Sequence, residues 1–75
     1  MIIRLYGILA DHVKTTQLEI PFMEDSSKVI LYLESKFPGI SVYSMRIAVN
    51  SVMIEKPTML EEGDTVFLIP PFPGG

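Results

Sequence analysis

Few residues in this chain are equipped for chemistry, and they lie far apart. The 75 residues include no cysteine and a single histidine, His12. Without cysteine there is no thiol nucleophile, no thiolate metal ligand and no disulfide framework. His12 has Asp11 beside it but no spaced partner, so it reads as a solvated loop residue rather than a metal ligand or general base. Glu61, Glu62 and Asp64 crowd a turn. A calcium loop needs ligands at alternate positions over about a dozen residues, and that spacing is absent, so no metal site is expected. There is also no glycine-rich phosphate loop and no serine set beside a base. What remains is the end of the chain, Pro70-Pro71-Phe72-Pro73-Gly74-Gly75, which closes on a carboxylate.

The residue types of that end define a shape. Each proline fixes its own φ near −65° and pushes the preceding residue toward extended backbone. Ile69, Pro70 and Phe72 are all restricted in this way. Six residues at ~3.1 Å each project about 18 Å when polyproline-like throughout. Pro70, Pro71 and Pro73 lack an N–H, which makes the segment a poor added strand and a poor helix continuation. Gly74 and Gly75 make a tip without side chains, able to pass where a Cβ cannot. Phe72 is an apolar anchor in an otherwise slender rod. The expected division is a folded body over residues 1–69 and an extended tail over 70–75.

The elements that must hold this tail are legible from periodicity. Met1-Ile2-Ile3-Arg4-Leu5-Tyr6 reads as a first strand, interrupted by Gly7. Residues 8–14 fit either a short helical turn or an irregular connection. Thr15 to Ile20 alternates as a half-buried strand that Pro21 ends or edges. Asp25, Ser26 and Ser27 offer three N-caps before a helix whose apolar positions include Val29 or Ile30, Leu33 and Phe37. Pro38-Gly39 stops it. Met45 to Val49 is a third strand, Asn50-Ser51 a tight turn, and Val52-Met53-Ile54 a short return strand. Leu60 to Asp64 is a polar turn leading into Thr65 to Ile69, whose nearly unbroken apolar run predicts a central strand covered on both faces. The order is α+β and fits a β-grasp: a mixed sheet of four to five strands covered by one main helix, with the first and last strands as parallel neighbours.

Composition bounds the partners. Hydrophobic residues make up 48% of the chain, enough for one core in a domain this small. A net charge of −3, without any cluster of Lys or Arg, excludes nucleic acid and anionic membrane as expected partners. It points instead to a protein with a basic site. No run approaches the length of a membrane span and no signal-peptide pattern opens the chain, so the cytoplasm is expected. Of the five methionines, Met53 beside the hairpin turn is the one whose thioether suits a protein interface.

Several segments together resemble the ubiquitin-like sulfur carriers. They are Val49-Asn50 before the hairpin, Leu60-Glu61-Glu62-Gly63-Asp64-Thr65-Val66 before the last strand, Phe37-Pro38-Gly39-Ile40 at the helix exit, and Pro70-Pro71-x-x-Gly74-Gly75. The double proline is most similar to the small subunit of molybdopterin synthase. The resemblance implies a chain that is not an enzyme by itself and binds no permanent cofactor. Its terminal carboxylate would be adenylated by a separate ubiquitin-activating-like enzyme using ATP, then converted to a thiocarboxylate that carries sulfur covalently on Gly75. The large synthase subunit would receive the tip, with Gly74, Pro70, Pro71, Phe72 and Pro73 along its path. By motif position, Met53 and Ile69 would face partner proteins. Three departures stand out. Leu9 is followed by Ala10-Asp11 where relatives carry Arg-Glu, Ser26 occupies a position often held by valine, and Pro73 precedes the glycines. Sulfur delivery for thiamine or another thiolated product, and conjugation as a ubiquitin-like modifier, are alternatives within the class. A plain β-grasp binding module with incidental glycines is the alternative outside it.

Overall fold

The computed structural model describes residues 1–71. Among them five strands form one mixed sheet: β1 (Ile2–Leu5), β2 (Gln17–Glu19), β3 (Arg46–Val49), β4 (Val52–Ile54) and β5 (Thr65–Ile69). The spatial order is β2-β1-β5-β3-β4. β1 and β5 run parallel in the middle, with Ile3 opposite Val66 and Leu5 opposite Leu68. The other ladders are antiparallel. This is the β-grasp arrangement.

Helix α2 (Ser26–Lys36) covers one face of the sheet. Asp25 is its N-cap, accepting from the Ser27 amide at 2.8 Å and the Ser27 hydroxyl at 2.7 Å. Ser26 is buried, and its hydroxyl oxygen accepts from the Thr58 amide at 2.9 Å. A valine there could not tie the helix start to the 55–60 loop, which accounts for the serine. Val29 and Leu33 point into a core with Ile3, Leu5, Leu9, Ile40, Val66 and Leu68. At the exit, Gly39 takes a positive φ, and the Glu34 carboxylate accepts from the amides of Gly39 and Ser41 at 2.7 and 3.0 Å. Those bonds hold the Glu34 carboxyl below its ordinary pKa.

One open alternative is resolved and three expectations are corrected. Residues Gly7–Val13 form a helix, α1, whose Leu9 and Val13 are buried. His12 is therefore not a solvated loop residue: its Nε2 donates to the Pro38 carbonyl at 3.0 Å, and its ring meets Tyr43 edge-on at 5.4 Å. It pins α1 to the exit of α2. Leu60 belongs to the core rather than to a polar turn. Finally, β5 is central but covered on one face only: Val66 and Leu68 are buried, while Phe67 and Ile69 are half-buried on the other side. A single helical layer cannot cover both faces of a sheet.

Candidate functional site

The uncovered face of the sheet is built by strand alternation. Arg4 and Tyr6 face outward because Ile3 and Leu5 face the core, and Phe67 and Ile69 do so because Val66 and Leu68 face it. Ala48 lies opposite Phe67 on β3 and opposite Met53 on β4. Tyr6, Ala48, Met53, Phe67, Ile69 and Pro70, with Gly7 and Ser51, line an open apolar groove of about 490 Å³. Tyr6 and Phe67 lie nearly parallel, 12° apart, with ring centroids separated by 6.5 Å. Ala48 keeps the floor low, so the larger side chains around it enclose a hollow.

The expected site residues fall on both sides of a boundary. Met53 is exposed and Ile69 half-buried, both in the groove. Pro70 is buried at its end and Pro71 is exposed. Phe72, Pro73, Gly74 and Gly75 lie outside the described residues. Tyr6, Ala48 and Phe67 were not singled out from sequence, although the alternation that places Val66 and Leu68 inside also places Phe67 outside.

The hairpin side of the groove is held by a polar network between segments distant in sequence. Asn50 and Ser51 both have positive φ, as a tight hairpin turn requires. The Asn50 side chain donates to Asp64 at 2.7 Å and accepts from the Thr65 amide at 2.9 Å. The second Asp64 oxygen accepts from the Glu61 amide at 2.8 Å. The Glu61 amide and then Asn50 hold the Asp64 carboxyl below its ordinary pKa. The Val49-Asn50 and Gly63-Asp64-Thr65 signatures are thus two halves of one clasp. It sets the register of β3 against β5.

Charge on this face differs from charge on the whole chain. Arg4 and Arg46 sit in register beside Phe67 and Ile69. Arg4 donates to the Gln17 side chain at 3.0 Å, and its buried Nε has no partner among the described residues. A net charge of −3 suggested a basic partner site, whereas the groove is flanked by arginines. No group of three or more His, Cys, Asp or Glu among the described residues is placed to hold a metal ion. No helix among them is long and apolar enough to cross a membrane.

The family model described as the ThiS family matches residues 3–75. The chain belongs to the ThiS family. It is therefore a ubiquitin-like sulfur carrier, of a kind that generally does not catalyse reactions by itself. Among solved structures, subunits 1 and 2 of the molybdopterin-converting factor of Helicobacter pylori, solved as a complex, include a chain 27% identical to this carrier. That match covers 99% of this chain and 96% of the other, with a TM-score of 0.74. SAMP1 from Haloferax volcanii has a TM-score of 0.79 at 17% identity, covering 99% and 97% of the two chains. The BexX/CysO complex of Amycolatopsis orientalis gives 0.80 at 19%, covering 99% and 98%. The last two likenesses bear on the fold. No curated protein matches the carrier by sequence.

Proposed function

We propose that this ThiS-family chain carries sulfur as a thiocarboxylate on Gly75 and donates it for molybdopterin biosynthesis as the small subunit of a synthase. The observation that carries the reading is the apolar groove of Tyr6, Phe67, Met53 and Ile69 at the root of the segment ending in Gly74-Gly75. A body with an apolar docking face beside a glycine-tipped tail can be gripped by one protein while its end reacts inside it. The match to the molybdopterin-converting factor complex supports the choice of pathway.

The chemistry needs two partners in turn. A C-terminal carboxylate has a pKa near 3.5, so at neutral pH it is an anion and a poor electrophile. An activating enzyme would let it attack the α-phosphate of ATP, releasing pyrophosphate and leaving an acyl adenylate. A sulfur nucleophile would then displace AMP, forming the C–S bond as the C–O bond to phosphate breaks. The large synthase subunit would receive the charged tip. Gly74 and Gly75 admit the tip to a narrow passage, while Pro70, Pro71 and Pro73 reduce the freedom lost on clamping. Phe72 would seal the entrance. On this reading residues 1–69 are the body and 70–75 the working tail.

The test is the intact mass after incubation with ATP, a sulfur source and an activating enzyme. The carrier is expected to gain the difference between sulfur and oxygen, and a chain lacking Gly75 is expected to gain nothing. Uptake of sulfur by the truncated chain would overturn the assignment. Co-purification with a large synthase subunit, against co-purification with a thiamine-pathway partner, tests the choice of product.

A further inference from the structure

Three glycines among the described residues have positive φ: Gly7, Gly39 and Gly63. Their surroundings differ. A Cβ added at Gly63 would meet nothing within 4 Å, so that glycine serves its turn alone. At Gly39 the nearest atom would be His12 Cε1, at 3.4 Å. At Gly7, where φ is +56°, a Cβ would lie 2.9 Å from Cγ of Pro70, closer than real Cβ atoms approach their neighbours. Gly7 opens α1 directly after Tyr6, whose backbone is extended. The parallel register explains the meeting. Leu5 lies opposite Leu68, so two residues further along each chain Gly7 comes beside Pro70. Pro70 is buried there, and Pro71 is exposed.

We propose that Gly7 is a positioning residue for the C-terminal carboxylate: by lacking a Cβ it lets the Pro70 ring seat against the start of α1, which sets the direction in which the chain leaves the sheet. The proposal rests on the reading of Gly75 as the reacting end. Among the described residues Pro70 is the last buried one, so its seat is a point at which the folded body controls the direction of the tail. Five residues follow it, and Pro71 and Pro73 each have φ fixed covalently. Those two fixed torsions leave residues 71–73 less able to absorb a displacement at the base before the freer Gly74 and Gly75 are reached. Reaction geometry is strict: a misplacement of about 1 Å can cost roughly 100-fold in rate.

The experiment compares four full-length chains: wild type, Gly7→Asn, Pro70→Ala, and Gly7→Asn with Pro70→Ala. Asparagine tolerates positive φ, so it adds the Cβ with little backbone strain. Alanine at position 70 removes the ring, and with it both the seat and the atom that a Cβ at position 7 would meet. Thiocarboxylate formation is followed by mass in single turnover with an activating enzyme, ATP and sulfide, and folding by circular dichroism. In Gly7→Asn the rate at saturating enzyme is expected to fall about 10- to 100-fold, well beyond any change in apparent affinity. Pro70→Ala, which loses the seat itself, is expected to lower the rate as well, and Gly7→Asn to cost little further in the Pro70→Ala background, because both act through one contact. A purely structural role would instead lower affinity and rate together, with the two single effects multiplying in the double variant.

Wild-type rate in Gly7→Asn, or a Gly7→Asn effect as large in the Pro70→Ala background as in the wild-type one, overturns the proposal and leaves the sulfur-carrier reading intact. A wild-type chain that accepts no sulfur overturns the reading, and this role falls with it. Should Gly7→Asn fail to fold, the nuclear Overhauser effect between the Gly7 α-protons and the Pro70 ring in the wild-type chain decides: its presence supports the seat and its absence refutes it.

Discussion

Val66 and Leu68 alternate with Phe67 and Ile69 on one strand, yet the two pairs live in different surroundings. The first pair lies under the helical layer among Ile3, Leu5, Leu9 and Leu33. The second pair faces the groove with Tyr6 and Met53. Both pairs are apolar, and burial of apolar surface is the same driving force in each case. What differs is whether this chain supplies the cover. Inside, folding itself removes the surface from water. Outside, the surface stays partly wet, so a second protein can gain from covering it. On the proposed function, the apolar run of β5 serves stability with one half and association with the other.

Truncating one side chain from each half breaks this contrast most directly. Leu68 is fully buried, and Leu68→Ala is expected to cost about 2–5 kcal/mol, by lost burial and by the cavity left behind. In a domain of this size each kcal/mol lowers Tm by about 4–8 °C, so the variant should melt far below wild type in calorimetry. Phe67→Ala should do the reverse. Its own melting should shift little, while its affinity for an activating enzyme or a large synthase subunit should fall about 10- to 100-fold, the loss expected when a central aromatic anchor is truncated. Equal binding by Phe67→Ala and wild type in calorimetric titration would remove the outer face from the docking site.

The same contrast explains how far the sequence could be read. The hairpin at Asn50-Ser51 and helix α2 follow from alternation, turn residues and caps, each a local signal, and the parallel β1–β5 pair from the β-grasp arrangement that the element order fits. Helix α1 was ambiguous because its signals are weak: Tyr6 as N-cap makes no side-chain bond, and the helix is only seven residues long. The run from Thr65 to Ile69 looked doubly buried because composition reports how apolar a strand is, not how many layers the rest of the chain can supply. One main helix covers one face, so counting helices would have exposed Phe67. The apolar groove is legible only in part, through Met53 and Ile69, since Tyr6 and Ala48 join it by register across three strands. The bonds of Asn50 to Asp64 and Thr65 span 14 and 15 residues, and no local pattern announces them.

That clasp gives the smallest of the expected effects, and one that belongs to neither face. Asp64, held low by the Glu61 amide and Asn50, is joined by Asp25, held low first by the Ser27 hydroxyl and then by the Ser27 amide, and by Glu34. Each carboxyl is more acidic folded than unfolded, so near pH 4 the unfolded chain binds more protons. Stability from these groups is complete above the unfolded values of about 4 and is lost as pH falls through the lower folded values. Melting temperature should therefore be flat from neutral pH down to about 5 and decline below about 4. Asp64→Asn removes one of the titrating groups and one acceptor for the clasp. It should lower Tm at pH 7 and make the acid decline shallower, both modestly because the site is exposed to solvent. At neutral pH its effect on partner affinity should be smaller than that of Phe67→Ala, because the apolar face itself is unchanged. An acid decline as steep as wild type would show that Asp64 is not one of the groups whose protonation loosens the hairpin side of the groove.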